Sequence, residues 1–354
     1  MLMIRSLAAR ITAVCVLGTA TSVGAQSATF LDRTYVVRMA PDKGLMYEGQ
    51  PAIPLFLYSS LDHLYSKIRD PDPGWSTGRM VVITPMFRIR QLTDKAAASS
   101  PVRTPSFMPK LTTQFLATRR LQSGVDRGPV DFPLSAIVIG VDGTFGHYSN
   151  GQAGCFRANE RRKADGSGDC EPDPTAAAGA DTLNTVDGSF STWYLRAQTH
   201  ARFAHYKDSL MFFAVTLGAG IDWHPAFLKP IGGMDSALAA VYGRTRPFGS
   251  IEITRKSEWH CSQALLLGWL PCGVGRFRAS YSTEFISTRP AGISPRATTA
   301  EAAWTFARYA GFGAIVRVHR GQDYYNIALG HELNVTQYGF TFDLEHNDPI
   351  PRGR

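Results

Sequence analysis

Between residues 79 and 343 the chain alternates apolar and polar side chains with period two, in segments longer than ordinary globular strands. That period means strands with one apolar and one polar face, and it leaves few folds open. From Arg79 the odd positions Val81, Ile83, Phe87 and Ile89 are apolar, with Thr84, Arg88 and Arg90 opposite them. From Thr104 the set Phe107, Leu111 and Phe115 faces away from Lys110, Thr112 and Gln114. From Ser209 the apolar set is Met211, Phe213, Val215, Leu217 and Ile221. Further on, Phe277, Tyr281 and Phe285 oppose Arg276, Arg278 and Glu284, and Ala314, Val316 and Val318 oppose Arg317 and His319. The last segment puts Thr336, Tyr338, Phe340 and Phe342 on one side.

A sandwich would bury the apolar faces, whereas a transmembrane barrel turns them to lipid and lines its lumen with the polar ones. Three features favour the barrel. The segments run to about ten residues or more, the length a tilted spanning strand requires. Tight connections (206–209, 310–311) alternate with long ones (150–187, 222–245). Aromatics such as Trp193, Tyr206, Trp223 and Tyr309 gather at segment ends. Ten strands are expected between 79 and 343, with room for one or two more within 34–59. The expectation is an all-β, antiparallel transmembrane β-barrel of about twelve strands over residues 79–344. Residues 26–78 form an N-terminal segment that holds any first strands, and 345–354 a C-terminal tail.

The start of the chain sets the compartment. Arg5 and Arg10 flank a short beginning, residues 11–21 are small and apolar, and Val23-Gly24-Ala25 ends in a small-x-small pattern. Residues 1–25 therefore read as a signal peptide cleaved near Ala25. No later apolar run approaches the ~20 residues of a spanning helix. Once Cys15 leaves with the leader, Cys155, Cys170, Cys261 and Cys272 remain, and an even number in an oxidising compartment suggests disulfides Cys155–Cys170 and Cys261–Cys272. Residues 259–270 read as a stapled, non-spanning turn. The formal net charge is +8. In an exported chain this points to anionic lipid head groups or an arginine-lined lumen rather than to nucleic acid.

One segment breaks the apolar face. In residues 135–149 the odd positions are Ser135, Ile137, Ile139, Val141, Gly143, Phe145, His147 and Ser149, while Asp142 sits on the even face. Parity places His147 and Ser149 on the lipid side, at the rim of their strand. A polar pair against hydrocarbon is costly unless satisfied or useful. Same-face neighbours in a strand are near enough for an imidazole to take the proton of a serine nucleophile.

His147-Tyr148-Ser149-Asn150-Gly151 resembles the HxSNG signature of the outer-membrane phospholipase A family. Residues 99–103 with Phe107 and Pro109 are similar to the family's segment ahead of an earlier strand, and 321–326 to its last extracellular loop. Ser189-Phe190-Ser191-Thr192-Trp193 stands where the family has an SxSxN pattern. The resemblance implies a twelve-stranded outer-membrane barrel that hydrolyses phospholipid acyl esters, with Ser149 as nucleophile and His147 as general base. Its asparagine position is Trp193, which cannot accept the imidazole proton. The orienting role therefore falls to Ser191, Ser189 or Asp187, and shifting the register to match the downstream Tyr194 and Arg196 selects Ser191.

The resemblance further implies calcium at a homodimer interface, with ligands at Ser189, the Gln152 carbonyl and Ser99 from the partner. These oxygens suit a hard ion but include no carboxylate. Two other readings compete. Lipid A deacylases share an HxSN element, but they need a glutamate that is absent from the strand near Ser189. A non-catalytic barrel or pore is the other.

Overall fold

The computed structural model describes residues 30–39, 46–61, 64, 74–92, 105–121, 134–166, 169–176, 183–184, 188–207, 210–259, 273–289, 292–306, 311–325 and 330–342. The strands are β1 (Thr34–Met39), β2 (Met46–Gln50 continued by Leu55–Ser59), β3 (Trp75–Thr84 continued by Phe87–Leu92) and β4 (Ser106–Phe107 continued by Lys110–Leu121). Then come β5 (Leu134–Ser149), β6 (Ser191–Lys207), β7 (Leu210–Trp223) and β8 (Thr245–Trp259). The last four are β9 (Gly273–Phe285), β10 (Arg296–Phe306), β11 (Phe312–Gln322) and β12 (Glu332–Phe342). Each pairs antiparallel with its sequence neighbours, and β12 returns to β1 with Thr34 opposite Phe342. The result is a closed antiparallel barrel of twelve strands. Closure removes every sheet edge. Ten of the strands lie between 75 and 342 and two between 34 and 59, as the alternation leads one to expect.

Prolines explain why the first strands are hard to read. Pro51, Pro54 and Pro85 cannot donate to a ladder and interrupt β2 and β3. Pairing nonetheless continues through the breaks, with Met46 opposite Leu92, Ala52 opposite Met86 and Leu55 opposite Ile83.

The outer surface carries a belt of exposed apolar side chains, among them Phe115, Val141, Leu217, Phe285, Val316 and Phe340. A soluble protein rarely exposes a continuous apolar surface of this kind. The polar faces point inward. Arg90, Arg202, Arg276 and Arg278 are all buried there, so much of the basic excess lines the lumen. Arg90 bridges Glu48 (2.7 Å) and Asp323 (2.8 Å), and Arg278 meets Glu301 at 2.6 Å. Met211 departs from the expected alternation. It is 5% exposed and packs inside with Tyr206 and Ala214, because a bulge between His205 and Tyr206 shifts the register by one residue.

The lumen is not empty. Phe30 stacks on His200 (centroids 4.0 Å apart), Asp32 pairs with Lys110, and Arg33 meets Glu252 at 2.8 Å. A polar cavity of about 410 Å³ remains beside them. The expected signal peptide, the tail at 345–354 and the pair Cys261–Cys272 lie outside the described residues. The pair Cys155–Cys170 is a disulfide. No helix among the described residues is long and apolar enough to cross a membrane, which says nothing of crossing by strands.

Candidate active site

The long connections at one end of the barrel gather around a small apolar cluster. Met108, Tyr148, Phe156, Phe190, Met234, Leu238 and Val241 pack there, joining the β5–β6 and β7–β8 loops to the strand ends. The β7–β8 loop contains a short 3-10 turn (Ala226–Ile231) and helix α1 (Ser236–Tyr242), whose N-terminus is capped by Asp235 accepting the Leu238 N–H at 2.7 Å. Two bonds from β6 fasten this loop. The Ser191 hydroxyl donates to Gly232 O and the Trp193 indole N–H to Ile231 O, each at 2.7 Å.

Below that loop the barrel wall opens into a pocket of about 370 Å³. Its lining includes His147, Ser149, Gln152, Ser189, Ser191 and Asp235. Four of the expected site residues and Gln152 thus come together in one place. Their neighbours on the even face of β5, Asp142, Thr144 and Tyr148, are buried inside. Parity therefore puts His147 and Ser149 on the outer side of the wall, as expected. Ser99 and Asp187 lie outside the described residues.

Local sequence explains the shape of the turn. Gly146 faces inward, where a Cβ would stand 2.3 Å from the Tyr194 ring across the strand pair, so no larger residue fits. Gly151 has φ +64°, a left-handed conformation that glycine takes without strain, and it turns the chain away directly after Ser149. Asn150 is fully buried and ties that turn down. Its amide NH₂ donates to Gly188 O (2.7 Å) and Gln152 Oε1 (2.9 Å), and its carbonyl accepts the Phe190 N–H (3.1 Å). In the HxSNG element, Asn150 and Gly151 are thus the parts that fix the loop.

His147 and Ser149 stand two residues apart on one strand face, about 6.6 Å along the backbone, within reach of a side-chain hydrogen bond. No hydrogen bond joins their side chains in this structure. The His147 ring lies on Trp193, with centroids 4.5 Å apart and planes tilted by 46°, and Trp193 stacks in turn on Phe145 at 4.9 Å. Trp193 is the direct cross-strand partner of His147. Nδ1 of His147 is buried without a hydrogen-bond partner, whereas Nε2 is not, which makes Nε2 the ring nitrogen available at the pocket. Leaving a buried polar group unpaired costs about 1–3 kcal/mol.

The orienting role expected of Ser191 is not filled here. Its proton goes to Gly232 O, and nothing reaches His147 Nδ1. The physical reason is that Ser191 lies across from Ser149, one step along the face from the imidazole, whose own cross-strand place is taken by tryptophan.

Two residues that sequence reasoning missed belong to this neighbourhood. Asp235 brings a carboxylate into the pocket from the β7–β8 loop. Its signal in sequence is an ordinary helix cap, which carries no hint of a site. Arg162 comes from a hairpin, Glu160–Arg162 with Cys170–Pro172, inside the β5–β6 loop. Its guanidinium donates to Ala153 O (2.7 Å), Gly154 O (3.4 Å) and the Ser189 hydroxyl (3.4 Å).

That last contact decides how a calcium ion would fare. The implied donor Ser189 already faces a guanidinium, and the only carboxylate among the described lining residues is an Asp235 engaged as a cap. A hard divalent ion takes six to eight oxygens, carboxylates prominent among them, and a guanidinium beside a donor opposes it. The residues present do not fit it. The only other group of metal-type ligands among the described residues is Cys155, Glu160 and Cys170, and its two cysteines are bonded to each other.

No family model and no curated protein matches this sequence. Among solved structures, the chain is similar to outer membrane phospholipase A from Escherichia coli, at 12% identity and TM-score 0.41, over 88% of this chain and 92% of that one. An active-site mutant of that protein gives 12% identity and TM-score 0.41, over 88% and 90%. A Salmonella typhi outer membrane phospholipase, described as a dimer with bound calcium, gives 11% identity and TM-score 0.41, over 91% and 99%.

Proposed function

We propose that this protein is an outer-membrane serine esterase that hydrolyses acyl esters of phospholipids. One observation carries the reading: an accessible imidazole nitrogen and a serine hydroxyl lie two residues apart on the outer wall, beside an apolar belt. Phe145, Trp193 and the exposed Phe107 flank the pair and suit an acyl chain approaching through the bilayer.

In this reading His147 Nε2 takes the Ser149 proton as Oγ attacks the ester carbonyl. The tetrahedral intermediate collapses, His147 returns the proton to the departing glycerol oxygen, and the acyl group stays on Ser149. Water, deprotonated by the same nitrogen, then releases the fatty acid. Throughout, Nδ1 keeps its proton without an acceptor, so the imidazolium is stabilised only by the indole face below it. Absence of the third member lowers such catalysis rather than ending it. The homodimer implied by the resemblance is part of this proposal, and mass measurement in detergent tests it. Calcium is left out, because the donors present do not suit it.

Lysophospholipid release from mixed micelles, compared between wild type and Ser149→Ala, tests the reading. Release by the wild type alone is the expected result, and equal rates for both would end it. A second reading, a barrel without activity, draws on the missing His147–Ser149 bond and the tryptophan against the ring. Covalent labelling of Ser149 by a fluorophosphonate rules against that alternative. Deacylation of lipid A without phospholipid turnover would move the substrate, not the nucleophile.

A further inference from the structure

The β5–β6 loop holds an arginine in a place that its exposure alone does not explain. Arg162 sits opposite Cys170 in the loop hairpin, and Cys170 is bonded to Cys155. Cys155 directly follows Gly154, whose carbonyl the guanidinium contacts. The disulfide therefore closes a ring around this one contact set. The neighbouring ion pair of Arg161 with Glu171, at 3.0 Å, ties the two hairpin strands together once more.

Three contacts of this guanidinium are to oxygens of the site loops. Nε reaches Ala153 O, and Nη2 reaches Gly154 O and the Ser189 hydroxyl. The Ser189 N–H in turn donates to Gly154 O at 3.0 Å. These oxygens come from two separate stretches, the turn that follows Ser149 and the residues that lead into β6. Gathering oxygens of distant stretches around one positive centre is what a hard metal ion does in many loops. A planar guanidinium does the same with directed N–H donors and stays charged at any working pH. A divalent ion placed on Ser189 would meet that charge at close range and be repelled.

We infer that Arg162 is a positioning residue that takes the part of a metal ion in this site. It clamps the turn after Ser149 to the entry of β6, so the pocket is assembled by the chain's own cation and works without calcium. This rests on the esterase reading above for what the pocket does, but not for how it is held together.

The experiment uses full-length protein refolded in detergent, with folding checked by heat-modifiable migration on gels. Rates of phospholipid hydrolysis are measured in chelator and in millimolar calcium for wild type, Arg162→Ala and Arg162→Lys, and calcium binding is titrated by calorimetry. The wild type is expected to work equally well in chelator and to give no calcium heat. Arg162→Ala is expected to lose about a hundredfold in kcat with little change in KM, as a displaced nucleophile turn would cause. Arg162→Lys keeps the charge but not the fork and recovers part of that loss. A Cys155→Ser/Cys170→Ser double variant, which frees the hairpin, falls in the same direction as Arg162→Ala. A wild type that needs calcium, a saturable calcium site, or an Arg162→Ala variant as fast as wild type in chelator would each overturn the assignment. A wild type that neither hydrolyses phospholipid nor labels at Ser149 defeats the esterase reading instead. The calcium titration then judges Arg162 alone: no heat upholds it and a bound ion refutes it.

Discussion

The two faces of β5 treat histidine contacts in opposite ways. On the inner face, Asp142 accepts from His200 on the neighbouring strand at 2.7 Å, and the ring is stacked on Phe30. On the outer face, His147 lies five residues further along and beside Trp193, with one nitrogen buried and unpaired and the ring lining a pocket. Both rings come from the same wall, so the fold can satisfy an imidazole where it needs to. Buried ion pairs and stacked rings make the lumen face a structural interior, whereas on the outer rim His147 lines an open pocket with Ser149.

Four tests sharpen or break this contrast, ranked by the free energy expected. His147→Ala should cut phospholipid turnover by about ten-thousandfold with the barrel intact. A stability loss equal to that of a lumen substitution, with turnover kept, would make the outer ring structural too. Asp142→Ala should do the reverse. It leaves His200 unpaired in the lumen, lowers unfolding stability in detergent by about 3 kcal/mol and leaves micellar turnover unchanged.

The third test concerns pH at the rim. His224, just beyond the end of β7, accepts or donates at Thr192 Oγ1 (2.9 Å) and is held down to about 4 by burial, with Arg246 and Arg196 adding to the effect against Asp222. The unfolded chain protonates this ring near 6.5. Between those values the unfolded state binds the extra proton. Stability is therefore full above about pH 6.5 and falls by about 3 kcal/mol as pH drops to 4. Denaturant melts across that range should show the slope in wild type and a shallower one in His224→Gln. Equal slopes would mean that the rim histidine is solvated after all.

The smallest expected effect is a gain. Trp193→Asn places an acceptor across from Nδ1 and should raise kcat about tenfold, while Trp193→Phe, which loses the same bond to Ile231 without adding an acceptor, should not. A gain in both variants would show that the loop tie, not the missing partner, limits turnover.

Period-two alternation reaches only as far as a strand, yet in a closed barrel that is nearly everything. It gave the ten strands after residue 75 and the outward aim of His147 and Ser149, because a side chain's face follows from parity alone. Parity failed at Met211, where one extra residue in a bulge reverses it. It faded in β2 and β3, where prolines interrupt the pattern but not the pairing. Cysteine counting found Cys155–Cys170.

What parity cannot reach is whatever loops bring across space. No spacing in the chain links Asp235 or Arg162 to Ser149, since each arrives from a long connection folded over the rim. Nor does sequence tell that Ser191 would give its proton to Gly232 O, or that Phe30 and Arg33 would enter the lumen. The sequence alone determined the wall and the direction each side chain takes from it, because those depend on nearest neighbours along the strand. Only the tertiary structure decided which groups surround the outward pair, because loop contacts depend on closure of the whole barrel.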